Sequence, residues 1–370
     1  MAAGRRPDID VLRVGAFFLL ILYHLGMFYV PWGWHAKSTH ILPELQLPMG
    51  LLNPWRLTLL FLISGMATRF MSANLAPAGL AAQRSWRLGI PLLFGILVVV
   101  PPQSWVEVVE KHGYAGGLLE FWTAHYLMFD HGFGVILPTY NHLWFIAYLW
   151  LYTLIAAALW KMLPALDRLA ARALTGPGLL VIPVILFGGY RAFLFPGRGE
   201  THIIWDDLYD HAHYLTTFVL GLAIARQDDA WKFLAKYRHL ILAGVAATAT
   251  MALLLSGTWE DKHGWRGQAF AFLRAGYAWT TICALMGYAH HHIRRGSKLL
   301  STLSEAVFPF YIIHQTTIVV TGHFLSPYRL PVLLEAGIIL AATVAICVAI
   351  YVLARAVPAL RLPLGLKPAA

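Results

Sequence analysis

Three ionisable side chains share one stripe of the first apolar stretch, DIDVLRVGAFFLLILYH over residues 8–24. In a helix Asp10 and Arg13, three residues apart, are neighbours. Arg13 and His24 are eleven residues apart, about three turns, which returns His24 to within roughly 20° of the same face. At about 1.5 Å per residue, His24 lies about 16 Å beyond Arg13. If the helix crosses a bilayer from Arg13, His24 reaches the middle of a hydrocarbon core about 30 Å thick. An ionisable group there is costly and marks a functional site by default, against the plainer reading of a histidine bonded to a neighbouring helix for packing.

A second group is SEAVFPFYIIHQ, residues 304–315, in which His314 lies nine residues from Glu305. That is about 13 Å of helix, a depth close to that of His24, with Tyr311 one turn below. A third is Arg84-Ser-Trp-Arg87, two planar forks at i and i+3 that can grip phosphates bidentately. Cytoplasmic flanks contain such pairs by default, so alone it says little. Asn141-His142 opens another apolar span, where helix capping by Asn141 competes with contact to an acceptor. Asp206, Asp207 and Asp210, with His211 and His213, have metal-capable types without a recognised ligand spacing, and solvation of a helix entry accounts for them; no metal is expected. His290, His291 and His292 read as a solvated helix end.

The elements that position these groups follow from composition. Of 370 residues, 59% are hydrophobic and 12% charged, with mean hydropathy +0.62. A soluble globule carries about 25% charged residues, so the lipid bilayer must be the main solvent. At roughly 20 residues per spanning helix, the chain reads as one all-α integral membrane domain over 1–370, a bundle of about ten transmembrane helices. The spans fall near 14–32, 52–70, 88–101, 142–160, 178–194, 211–226, 238–256, 268–291, 306–322 and 331–356. Cys283 and Cys347 lie in apolar runs and suggest neither a disulfide nor a metal site. The exit of the first stretch, GMFYVPWGW, has no small-residue cleavage site, so it reads as a retained helix and not a signal peptide.

The net charge of +10 does not imply nucleic acid, because the basic residues are dispersed along alternate loops. Nineteen of the 28 Lys and Arg fall on one side: Arg5, Arg6, Arg13; Arg69, Arg84, Arg87; Lys161, Arg168, Arg172; Arg226, Lys232, Lys236, Arg238; Arg294, Arg295, Lys298; and Arg355, Arg361, Lys367. Seven, Lys37, Lys111, Arg191, Arg198, Lys262, Arg266 and Arg329, fall on the other, and Arg56 and Arg274 within spans. The positive-inside rule then places both termini in the cytoplasm. The outer segments carry Trp, Tyr and carboxylates, including WGWH at 32–35. An interfacial aromatic belt explains most of these; an acceptor sugar would use the same groups, its apolar face on the rings and its hydroxyls on Asp207 and Asp210.

Together, DIDVLR…YH, FLISG at 61–65, R-x-x-R at 84–87 before LGIPLLFG, NHLWFIAYL at 141–149 and FYIIHQ at 310–315 resemble the acyltransferase-3 family of integral membrane acyltransferases. WRLTLLFLISG and RSWRLGIPLLFGILVVVPPQ are most similar to its branch of glucan-modifying succinyltransferases from Gram-negative bacteria. The resemblance implies transfer of an acyl group, acetyl or succinyl, from cytoplasmic acyl-CoA to a hydroxyl of a periplasmic or cell-surface glycan by a multi-pass inner-membrane enzyme. By motif position His24 would be the catalytic histidine, Arg13 the first-helix arginine, and Arg84 and Arg87 the R-x-x-R pair. The family's added extracytoplasmic domain is not expected in these 370 residues. A neutral His24 could take the acceptor's proton, with Asp10 orienting Arg13 near the coenzyme. Ser64, Tyr311 and His314 are candidate oxyanion donors, and His142 a candidate acceptor contact. A transient acyl-histidine is an alternative. The rival class is a transporter or flippase for a sugar or lipid-linked intermediate, in which a cytoplasmic R-x-x-R pair has no evident task.

Overall fold

The computed structural model describes residues 6–256 and 264–368, without the Arg198 side chain. Arg5 and Lys262 lie outside the described residues. Helices in chain order are α1 (Pro7–Tyr29), α2 (Pro43–Met71), α3 (Pro77–Val99), α4 (Pro101–His112) and α5 (Asn141–Ala158). They continue with α6 (Leu163–Ala173), α7 (Gly178–Gly197), α8 (208–224), α9 (Asp228–Lys236) and α10 (Arg238–Leu254). The last three are α11 (Trp265–His292), α12 (Lys298–Tyr328) and α13 (Val332–Ala356). No strand occurs among the described residues.

Among those residues seven helices are long and apolar enough to cross a membrane: α1, α2, α5, α7, α11, α12 and α13. The pairs α3/α4 and α9/α10, bent by 41° and 72°, raise the number to nine if each is one span. The stretch expected at 211–226 lies in α8, whose seventeen residues are at the lower limit, roughly 17, of a spanning length. The span expected at 88–101 begins earlier, at Pro77. Arg84 and Arg87 lower its hydropathy without stopping the helix, which breaks at Pro101-Pro102, where two missing N–H groups prevent continuation. Four segments widen into π turns: Ser85–Gly89, Gly95–Val99, Phe121–Tyr126 and His211–Leu215. The first of these lies within the R-x-x-R motif and the last directly after Asp210.

The chain folds as two compact units, each assembled from separate stretches of sequence. One gathers Met1–Ala16, Leu51–Ala81 and Leu151–Ser304. In it α11 packs on α7, α9 and α10. A Cβ on Gly65 would overlap the Phe218 carbonyl, and one on Gly221 the Leu62 carbonyl. The glycine of FLISG therefore lets α2 and α8 meet backbone to backbone, the close approach that holds helices together where lipid removes the hydrophobic drive.

The other unit gathers Phe17–Gly50, Ala82–Trp150 and Glu305–Ala370. Gly322 of α12 admits the Phe28 ring, and Gly95 of α3 the Leu143 side chain. The loop after α1 is tied down at four points. Lys37 Nζ donates to the carbonyls of Met27 in α1, at 2.6 Å, and of Val30 just beyond it, closing the helix end. Ser38 Oγ donates to the buried Glu335 carboxylate at 2.7 Å. His40 Nε2 donates to the Leu330 carbonyl at 3.0 Å, and His35 Nδ1 lies 2.6 Å from Glu107 Oε2. Burial, with Lys111 nearby, lowers the Lys37 pKa to about 8.

Candidate active site

The second unit brings α1 and α12 together at their histidines. His24 Nδ1 lies 2.8 Å from His314 Nε2, with the rings nearly parallel at 14° and their centroids 5.0 Å apart. His314 is fully buried, and its other nitrogen, Nδ1, lies 2.8 Å from the Tyr311 carbonyl and 3.1 Å from that of Phe310. Carbonyl oxygens only accept, so Nδ1 of His314 carries the proton and Nε2 of the neutral ring is the acceptor. His24 Nδ1 must then donate, which leaves the basic lone pair of His24 on Nε2. The order of partners along this chain fixes both tautomers, as the orienting member of a catalytic triad does for its histidine.

His142, at the start of α5, braces the pair. Its Nε2 donates to the Ile312 carbonyl at 3.1 Å, so Nδ1 is the acceptor that faces Gln103 Nε2 at 3.4 Å. Its ring meets that of His314 edge-on, with centroids 5.4 Å apart. Gln103 Nε2 donates to Thr316 Oγ1 at 2.6 Å, and Gln315 Nε2 donates to Gln103 Oε1 at 3.0 Å. Thr316 Oγ1 donates onward to the Val99 carbonyl at 2.8 Å. These donors and acceptors satisfy one another across α3, α4, α5 and α12, as buried polar groups must to avoid a desolvation cost of about 1–3 kcal/mol each. Phe17 packs edge-on to His314 at 5.7 Å. On the other side, Trp34 of the anchored loop stacks over His24, with centroids 6.4 Å apart and an interplanar angle of 24°.

The remaining candidates divide between the two units. The Tyr311 hydroxyl donates to the His142 carbonyl. Its proton is thereby committed to joining α12 to α5, and His314, with Nε2 accepting, serves as an orienter. Asn141 has φ 39° in the turn that opens α5, and its Oδ1 accepts from Thr139 Oγ1 at 3.4 Å. Arg84 and Arg87, both half-buried, flank Trp86 on α3; the π turn there widens their separation around the axis. Arg87 Nη2 reaches the Gly365 carbonyl at 3.4 Å.

Asp10, Arg13, Ser64, Asp207 and Asp210 belong to the first unit. Asp10 Oδ1 takes a hydrogen bond from Arg13 Nη2 at 2.6 Å, the i, i+3 pair implied by their spacing. Ser64 is half-buried, with its carbonyl accepting from Thr68 Oγ1 at 2.9 Å. Asp207 caps α8, its carboxylate accepting the backbone N–H of Asp210 at 3.3 Å and of His202 at 2.6 Å. Asp210 is fully buried, with His202 Nε2 3.5 Å away. His290, expected in a solvated end, instead lies 3.0 Å from the buried Asp8 carboxylate. Sequence reasoning misses Trp34, Gln103, Gln315 and Thr316 as parts of this site. The signal that could have found two of them is the i, i+1, i+2 run His314-Gln315-Thr316, polar in the middle of an apolar span.

Residues 6–352 match the family model described as an acyltransferase domain. Glucans biosynthesis protein C of Salmonella heidelberg (strain SL476) is 23% identical over 343 residues, covering 88% of this chain and 85% of that protein. The protein of the same name from Salmonella typhi is also 23% identical with the same coverage, and that from Salmonella gallinarum 22% identical. No solved structure matches the chain. With the match running through α1, α3, α5 and α12, where the histidine pair and its supports lie, the chain belongs to the acyltransferase-3 family of membrane acyltransferases.

Proposed function

We propose that the protein is an inner-membrane O-acyltransferase that moves an acetyl or succinyl group from cytoplasmic acyl-CoA to a hydroxyl of a periplasmic or surface glycan. The observation that carries this reading is the directed hydrogen bond from His24 to His314 in a chain of this family. The name glucans biosynthesis protein C, borne by relatives matched over most of their length, favours a periplasmic glucan as acceptor. The charge asymmetry supports ten crossings with α8 as one of them and both termini in the cytoplasm.

In this scheme the acceptor hydroxyl gives its proton to His24 Nε2 as its oxygen attacks the thioester carbonyl carbon. The tetrahedral intermediate collapses with cleavage of the C–S bond, and the proton returns from His24 to the leaving coenzyme A thiolate. While Nε2 is protonated, the Nδ1–H bond to His314 becomes charge-assisted, roughly twice as strong as a neutral one. Arg84 and Arg87 hold the coenzyme's phosphates at the inner face, and Arg13, set by Asp10, lies near the pantetheine arm. Trp34 offers a ring face for the sugar and His142 supports the acceptor side; Asp207, spent on capping α8, and Asp210, fully buried, present no carboxylate to an acceptor.

Purified protein incubated with acetyl-CoA and succinyl-CoA, with thiol release measured, tests the enzyme class; one of the two should be cleaved, faster with glucan present. Mass spectrometry of periplasmic glucans from a deletion strain should show loss of the corresponding acyl increment. Intact thioesters together with unchanged glycans would refute the reading.

A further inference from the structure

We infer that the first unit holds an acyl chain of an anionic phospholipid in a groove between the end of α5, α6 and α8, with the lipid's phosphate on Arg168 and Arg172. The groove has a volume of about 280 Å³, against the roughly 150 Å³ that takes a benzene ring in an apolar protein cavity. Its walls include Ala156 of α5, Ala165 and Leu169 of α6, and Leu215 and Leu222 of α8. No charged side chain lines it, and its one hydroxyl, that of Tyr152, is engaged with His211 Nδ1 at 3.0 Å. Leu159, Met162 and Leu169 at its rim are 50%, 60% and 62% exposed, so it opens outward. Lining atoms that face a void forfeit dispersion contacts, and a hydrocarbon chain restores them while asking for no hydrogen bond.

Charge selects the lipid. Segment 160–173, WKMLPALDRLAARA, carries two adjoining stripes. Met162, Ala165, Leu166 and Leu169, at i, i+3, i+4 and i+7, line the groove. Arg168 and Arg172, one turn apart, form the second stripe, about a quarter turn round the axis from the first, and Lys161 precedes Arg168 by two turns on the same side. Ala165 and Arg168 are i, i+3 neighbours, as are Leu169 and Arg172, so each arginine borders a residue of the groove wall. All three basic side chains are exposed. The segment's one carboxylate, Asp167, is paired with Arg69 Nη2 of α2 and does not neutralise them. Gln227 Nε2 donates to the Asp167 carbonyl at 3.2 Å and holds the same turn in place, while Leu163 and Ala170 are buried against the unit. A helix with one apolar and one basic face suits the surface of a membrane, where its cations meet anionic headgroups and its apolar side meets the chains.

The test is native mass spectrometry of the delipidated full chain in detergent, titrated at constant ionic strength with phosphatidylglycerol or phosphatidylcholine of the same acyl chains. Phosphatidylglycerol should bind saturably, at a half-saturating concentration tenfold or more below that of phosphatidylcholine, and glycerol 3-phosphate, which has no chains, should not bind. The Arg168→Gln/Arg172→Gln variant should lose the preference between the two lipids. Ala165→Trp, which fills the groove and leaves the charges, should raise the half-saturating concentration of phosphatidylglycerol tenfold or more. Ala171→Trp, on the opposite side of α6, and Lys298→Gln should change neither value. If Ala165→Trp fails to fold, Ala165→Leu and the double arginine variant decide. Equal affinity for the two lipids, unchanged half-saturation in the groove and arginine variants, or a dimer of the chain that excludes lipid would overturn the site.

Discussion

His24 and His314 are 290 positions apart, and their contact assigns them unequal parts. One holds its protons in a fixed order; the other presents a lone pair. His24→Gln keeps a hydrogen-bonding side chain that cannot accept a proton at that position. His314→Gln keeps the bulk but loses the ring that orients His24. Transfer should fall by about 10²-fold or more in His24→Gln, and by a smaller factor in His314→Gln, with coenzyme affinity unchanged in both; single-turnover rates and equilibrium binding separate the two effects. For Arg84→Ala and Arg87→Ala the expectation is reversed. Acyl-CoA affinity should weaken by about 1.5–3 kcal/mol for each charge-assisted bond removed, and lysine should restore only part of it because it lacks the planar fork. Coenzyme titrations that give wild-type affinity for the double alanine variant would take the pair out of the site.

At the scale of elements, α2 and α8 meet at Gly65 and Gly221, and α3 widens twice into π turns before breaking at Pro101. Gly65→Ala should destabilise the fold by about 1–3 kcal/mol through overpacking, while Gly189→Ala, with nothing within 4 Å of the added methyl, should be close to neutral; thermal midpoints in one detergent compare them. Lys37, which closes α1, has a pKa lowered to about 8 by burial. Because the unfolded side chain holds its proton to about pH 10.4, the unfolded state binds more protons between these values, and stability must rise with pH across that window. The midpoint of wild type relative to Lys37→Gln should therefore increase from pH 7.5 to 9.5; a constant difference would mean that Lys37 titrates normally. Apolar runs make the helices legible in the sequence, and the shared stripe of Asp10, Arg13 and His24 is legible because these residues lie on one helix. Which helices touch is not. The His24–His314 bond, the bracing by Gln103 and the stacking of Trp34 depend on long-range packing that hydropathy does not encode. Hydropathy also shortens α3, because its arginines interrupt the apolar run of a helix that continues through them.

For the whole molecule, nineteen of 28 basic side chains on one set of segments underlie the proposed orientation, in which Lys232 faces the cytoplasm and segment 33–51 faces outward. A cysteine introduced at Lys232 should resist an impermeant maleimide added to whole spheroplasts, and one at Thr39 should react; the opposite pattern would invert the bundle. Under the proposed function the same orientation would define the reaction, with the polyanionic coenzyme A, which cannot cross lipid, held on one face and the acceptor on the other. The most direct measurement uses proteoliposomes of wild type and of His24→Gln matched for orientation and thermal stability, with acyl-CoA on the face bearing Lys232 and periplasmic glucan on the opposite face. Wild type should acylate the glucan across the bilayer, and His24→Gln should do so at about one hundredth of that rate or less. Glucan acylation by His24→Gln at near the wild-type rate would contradict the account.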